Sequence, residues 1–362
     1  MATTIRTGEQ QVPILADRAL TETARAMAAR QCGIVSTRQL DAAGVGRSTR
    51  TTRVRAGRWV RLCRGVYDLA ACAPADLTHE QRTRRAAFVA LVTYGDRAIA
   101  VGLTALTIHG VWGVPMREPP QITTSDIGGR AGRGSARCRR FEPGEVWTVD
   151  GLRVVEPCLA LAQALPEVAP RTALGLLDSA LHRGVITEAD LVRVRALMRG
   201  RRWCRRVAVI WDLVDGRRES PLESWAYFDL TAEGLEPTGI QVPVRDEQGV
   251  ARARADIALV FRDGSHRFLE LDGREWHDQP GVDDARDNTI AVLDGTPVLR
   301  YGSAALGREG RMVHDVRTLA IAHGGIVPPD RRLHSVDPEA FVSPRPFSTR
   351  SSSRAPSAGV QG

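Results

Sequence analysis

Lysine is missing from this chain altogether: all 50 of its basic residues are arginine. A lysine that orients an attacking water is therefore not available to any catalytic scheme. The bias itself is what a GC-rich coding sequence produces. Cysteine is sparse and scattered, at Cys32, Cys63, Cys72, Cys138, Cys158 and Cys204, with no C-x-x-C pair and no histidine cluster nearby. That spacing excludes a zinc site or a disulfide framework and predicts buried or half-buried thiols in a reducing compartment. Long apolar runs are absent as well, since none approaches the ~20 residues that span a bilayer. Met1 to Gln11 is polar and lacks the apolar core of a secretion signal. These absences predict a cytoplasmic protein with no membrane partner.

What is present is ordinary globular composition, 43% hydrophobic and 25% charged, over 362 residues. That length predicts two or three domains. The net charge of +8 is unevenly distributed. Residues 21–70 carry ten arginines against Glu22, Asp41 and Asp68, a net of +7. Residues 220–325 carry eighteen acidic groups against eleven arginines, a net of −7. Most of the remaining excess lies around Arg193–Arg206 and in the C-terminal tail. A concentrated basic segment is the electrostatic footprint of phosphate binding.

Residues 1–20 show no periodicity and read as a flexible leader. Helices are predicted from Glu22 to Gln31, from the Ser36 cap to Ala43, and from a Ser48 cap to about Arg55, with Gly33, Gly44 and Gly57 as stops. Trp59 to Tyr67 reads as two strands around a tight turn. Three helices followed by a hairpin is the winged helix-turn-helix plan, in which the helix after the turn enters the major groove. The stretch 75–215 reads as mostly helical with strand-like insertions at 121–124 and 151–155. Its basic run Arg193–Arg206 is either a solvated helix face or a non-specific DNA contact. From 220 to 325 the order is α-β-β-β-α-β with a closing helix, an α/β sandwich with acids at its strand ends. Residues 326–362, rich in Pro, Ser and Arg, read as a disordered tail. The expected fold class is thus α+β and multidomain.

The densest acidic group is Asp256, Glu270 and Asp272, with His277 close behind. Asp256 interrupts an apolar strand, where a carboxylate must be paired, metal-bound or destabilising. Glu270 and Asp272 share one face of their strand. If the two strands pair, Asp256 and Glu270 face one divalent cation, and oxygen ligands favour Mg²⁺ or Mn²⁺. Such an ion polarises a phosphodiester and generates hydroxide, and His277 is placed to move a proton. Each residue also has a plainer reading. Glu223 completes a capping box with Ser220, Asp272-Gly273 can be a turn, and His277 can be a surface residue.

Glu223, Gln241-Val242-Pro243-Val244, Ala255-Asp256, Glu270-Leu271-Asp272-Gly273, Trp276-His277, Asp287 and Val298-Leu299-Arg300 together resemble the domain of very-short-patch repair endonucleases. That domain is a branch of the PD-(D/E)XK restriction-endonuclease-like fold, and the resemblance covers residues 220–322. It implies Asp256 as a metal-binding acid, Glu270 as the second, Glu223 as the helix-borne acid and His277 as the proton-transfer residue. The usual lysine position of that superfamily is Asp272 here. The repair branch lacks the lysine too, so its absence weakens catalysis without excluding it.

At the other end, Val35 to Leu40, Gly44-Val45 and Arg61 to Tyr67 resemble the winged helix of AbiEi-type antitoxins. These belong to type IV toxin–antitoxin systems whose toxin is a nucleotidyltransferase. The resemblance implies autoregulation through double-stranded DNA. It puts Arg47, Ser48, Arg50, Thr51, Arg53 and Arg55 on or near the reading helix. Arg58 would follow it, with Arg61 and Arg64 on the wing. Two functions follow: a DNA-guided Mg²⁺-dependent endonuclease, or a non-catalytic AbiEi-like regulator that keeps the nuclease fold as a scaffold.

Overall fold

Glycine and capping signals set the N-terminal elements in the computed structural model, which describes residues 13–124, 136–245, 250–272 and 298–329. Helix α1 (Glu22–Arg30) starts where the Thr21 hydroxyl accepts from the Ala24 amide. The chain then turns at Gly33, with φ +84° and Ala70 so close that a Cβ would lie 2.8 Å from its backbone nitrogen. Strand β1 (Ile34–Ser36) leads into α2 (Thr37–Ala42) through a full capping box between Ser36 and Gln39. Helix α3 (Arg47–Arg55) begins at Gly46, so Ser48 lies inside the helix instead of capping it. Strands β2 (Val60–Cys63) and β3 (Val66–Asp68) form the wing, and the sheet order is β1-β3-β2. Leu20, Ala28, Leu40, Trp59 and Leu69 fill the core of this unit.

The segment expected to be a loose leader is partly built in. Among the described residues, Ile14 bridges to Ala70, and the Leu15 amide donates to the Leu69 carbonyl. Asp17 is buried, at 3% exposure, where it accepts from the Trp59 indole at 3.1 Å. Residues 1–12 lie outside the described residues.

The region expected to be mostly helical carries a five-stranded mixed sheet. Its elements are α4 (His79–Tyr94), β4 (Ile99–Ala100), α5 (Gly102–His109), β5 (Gln121–Thr123), β6 (Arg137–Cys138), β7 (Val146–Val149) and β8 (Leu152–Val155). Three more helices follow, α6 (Pro157–Ala164), α7 (Pro170–His182) and α8 (Asp190–Met198), and then a 3-10 turn over Cys204–Ile210. The sheet order is β6-β5-β4-β8-β7, parallel at β4–β8 and β5–β6. The insertions expected at 121–124 and 151–155 are β5 and β8, whereas β4 and β6, of two residues each, are too short to show the alternation that identifies a strand. This unit is tied to the wing by Arg85, which pairs with Asp68 and donates to the Cys32 carbonyl at 3.1 Å.

The C-terminal part comprises α9 (Pro221–Ala232), β9 (Gly239–Arg245), β10 (Ala251–Val260), β11 (His266–Asp272), β12 (Val298–Gly302) and α10 (Arg311–Ala322). The strands run β12-β11-β10-β9, antiparallel except at β11–β12. Leu222, Ala226 and Leu230 of α9 and Met312, Val313 and Val316 of α10 pack with Ile257, Leu259 and Leu269 of the sheet. The three expected middle strands are present, whereas the helix expected over 283–293 lies outside the described residues. Residues 326–329, expected in the tail, are described, and two of them are built in. Ile326 bridges to Phe261 and the Val327 amide donates to the Val260 carbonyl, while residues 330–362 lie outside the described residues. All six cysteines are free thiols. Among the described residues, no helix is long and apolar enough to cross a membrane.

Candidate nucleic-acid interface and acidic site

The acidic site forms where β10 and β11 part. Their ladder runs from Val260 opposite His266 to Ile257 opposite Leu269. One step beyond that ladder, where the same register continued would set Asp256 opposite Glu270, the Asp256 carboxylate accepts from the Leu271 amide at 2.9 Å. Both acids are buried, at 9% and 6% exposure. Glu223 approaches from the first turn of α9, where Pro221 opens the helix and Ser220 caps it. Burial first, and the Asp256 charge second, push the Glu223 carboxyl up to about 8. Half of the capping box anticipated for Glu223 is present: its amide donates to the Ser220 hydroxyl, while its carboxylate accepts from the Glu219 amide at 3.1 Å instead of that of Ser220. It sits in the acidic cluster at the same time. Among the described residues, no three His, Cys, Asp or Glu groups are arranged to hold a metal ion. Asp272 ends β11 half-exposed, and His277 lies outside the described residues.

Gln241, which residue type alone did not single out as a site residue, belongs to this cluster. It sits in mid-strand at φ +51°, and its side-chain amide donates to the Glu223 carboxylate. A positive φ in a non-glycine residue is uncommon, and here it directs a donor onto a buried acid. The only sequence signal was its place in Gln241-Val242-Pro243 before the acidic strands.

The basic face of the winged helix is smaller than its arginine count suggests. Arg47, Ser48, Thr51, Thr52 and Arg55 are exposed along one side of α3. Arg58 is exposed after the helix, as are Arg61 and Arg64 on the wing. Two residues expected on the reading surface turn inward. Arg50 is 5% exposed, with its guanidinium bound to Asp41 and to the Val45 carbonyl at 2.5 Å. Arg53 is half-buried and pairs with the buried Asp17 at 2.9 Å. Both fasten α3 to the rest of the unit. Thr52, which was not anticipated, takes a place on the outer face.

Residues 22–70 match the model of a family described as "Transcriptional regulator, AbiEi antitoxin". The match coincides with the segment from α1 to the end of the wing. It supports a regulator-like, DNA-binding character for the N-terminal part. No match to a curated protein is found. Among solved structures the chain is similar to the RV2827C protein from Mycobacterium tuberculosis, at 15% identity and a TM-score of 0.31. That similarity covers 67% of this chain and 90% of the other.

Proposed function

We propose that the protein is a regulator of the AbiEi antitoxin kind that binds double-stranded DNA through its winged helix. The observation that carries this reading is the exposed row Arg47, Ser48, Thr51, Thr52 and Arg55 on α3, flanked by Arg61 and Arg64 on the wing. Guanidinium groups and short hydroxyls suit both tasks of a reading helix: phosphate anchoring and hydrogen bonding to base edges. The match of residues 22–70 to the AbiEi model supports the same reading. In this scheme the cognate toxin is a nucleotidyltransferase and the DNA is the protein's own operator.

The test is fluorescence anisotropy on promoter duplex at several salt concentrations. Replacing Arg47 and Arg55 together by alanine should weaken binding at least about tenfold and lower the salt slope by about 2. Arg50→Ala should instead lower thermal stability, because Asp41 loses its partner. Unchanged affinity in the Arg47/Arg55 variant would sink the proposal.

A second reading rests on the buried pair Asp256 and Glu270, with Glu223 beside them. Mg²⁺ is often held by one or two carboxylates and completes its shell with water. Asp256 and Glu270 fit that donor set. A bound ion would supply Lewis acidity and a lowered water pKa to phosphodiester hydrolysis. Gln241 and the α9 cap orient Glu223, and Asp256 is fixed by the Leu271 amide. Incubation of plasmid and mismatched duplex with Mg²⁺ or Mn²⁺ tests it. Cutting by the wild type that disappears in Asp256→Ala and Glu270→Ala is expected if the domain is an endonuclease. Intact DNA in all three leaves the domain as a scaffold.

A further inference from the structure

From Leu191 to Trp211 the chain holds seven arginines and no carboxylate. The segment runs between Asp190 and Asp212, covers α8 after its first residue and the 3-10 turn that follows, and is held down by Val194, Met198, Val207 and Ile210, all buried. That anchoring leaves Arg195, Arg199, Arg202, Arg205 and Arg206 exposed. Arg193 pairs with Glu156 at 3.0 Å, but none of those five has a carboxylate partner among the described residues. A solvated helix face usually interleaves opposite charges, and this one does not.

The guanidiniums lie over aromatic rings instead. Arg202 stands 4.2 Å from the Trp203 ring centre and Arg195 stands 5.2 Å from that of Trp211. Arg139 and Arg201 lie over Phe141, at 4.2 and 5.8 Å. Arg139 is also paired with Glu167, so the open charge is concentrated toward Trp203. Trp203 itself is unusual on two counts. Its backbone is left-handed, with φ +65°, and the residue is 45% exposed. A bulky residue adopts that φ only under constraint, and here the result is a ring displayed at the centre of a cationic surface.

We propose that this surface binds single-stranded nucleic acid, with Trp203 as the stacking platform and Arg199, Arg202, Arg205 and Arg206 on the phosphates. A duplex offers phosphates but keeps its base faces stacked internally, so an exposed indole adds nothing to a duplex contact. A single strand presents open base faces, and a basic groove with an aromatic ring is the arrangement that holds it without sequence preference. Arg202 lies over the Trp203 ring, and the 45% exposure of that residue leaves ring surface for a base. The surface is separate from the winged helix and does not depend on the function proposed for it.

The test uses the full chain with Arg47 and Arg55 replaced by alanine, so that the winged helix contributes little. Labelled oligothymidylate, oligouridylate and duplex of about 16 nucleotides are titrated in turn. One of the single strands should bind at least about tenfold more tightly than the duplex, and the tighter of the two tells whether the ligand is DNA or RNA. Adding Trp203→Ala should weaken that binding about tenfold, while Trp203→Phe restores most of it. Arg199→Ala with Arg205→Ala should lower the salt slope by about 1.4, at about 0.7 per phosphate contact on a single strand. Circular dichroism confirms that each variant is folded. Equal affinity for duplex and single strands, or a folded Trp203→Ala variant that binds like its parent, overturns the proposal.

Discussion

Replacing Asp178 by alanine should destabilise the fold by about 3–5 kcal/mol, the range for stripping one partner from a buried ion pair. Asp178 and Arg218 are 0% and 2% exposed, and the guanidinium Nε lies 2.7 Å from the carboxylate. Burial pushes the Asp178 carboxyl above its ordinary range, and Arg218 is the foremost influence drawing it back. The same carboxylate accepts from the Asp215 amide at 2.9 Å. Arg218 also donates to the Leu213 carbonyl and lies 4.5 Å from the Tyr227 ring centre. These contacts fasten the segment between α7 and α9, beside the close packing of Gly175 on Trp225. Removing only the carboxylate leaves a guanidinium buried without its counter-charge. Urea denaturation of Asp178→Ala, Arg218→Met and the double variant resolves the pair. The double variant should recover part of the single-variant loss, because no uncompensated charge remains. A loss below about 1 kcal/mol for Asp178→Ala would mean that the pair does not brace this joint.

The same contrast between a charged residue type and its actual place explains what was legible in the sequence. The caps and stops of the winged helix were readable because Ser36, Gln39 and Gly33 each act locally, through one hydrogen bond or one dihedral angle. Which face of α3 looks outward was not readable. In Arg47–Arg55 the sole apolar side chain is Val54, so the inward stripe is built from Arg50, Arg53 and Val54. Hydrophobic periodicity carries no information about a face lined by arginines, and the carboxylates that draw two of them in come from Asp41 and Asp17. Strands β10 and β11 were legible because a carboxylate in an apolar run marks a place that must be compensated. Gln241 was not, since its role depends on a positive φ that no composition encodes. Two strands of the middle sheet, at 121–123 and 152–155, were legible, and the others were missed for a third reason: pairs such as Ile99–Ala100 become strands only through partners far along the chain, at Thr123 and Arg153.

Glu80 should make the stability of the protein fall as pH rises toward neutrality. Both its carboxylate oxygens are sealed from solvent, and no other described residue supplies them a hydrogen bond. The cleft around it is formed by His79, Thr83, Thr107, Val111 and Val114, with Arg84 at its edge. Burial raises the carboxyl from 4.5 to about 7, against smaller opposing pulls from its own backbone amide, Arg183 and Arg82. A carboxyl with a raised pKa favours the folded state while it keeps its proton. Below about 4.5 both states are protonated and the full stability is present. Between about 4.5 and 7 the unfolded chain ionises first, so stability drops, and above about 7 the loss is complete. Summed over that interval the loss is about 3 kcal/mol. Glu80→Gln keeps the shape and cannot ionise. It should therefore be more stable than the wild type at pH 8, by an amount approaching that loss, and nearly equal to it at pH 4.5. Denaturant midpoints at the two pH values measure the difference, and subtracting the variant from the wild type removes every other titrating group. A variant that follows the wild type at both pH values would mean that the Glu80 carboxylate reaches water.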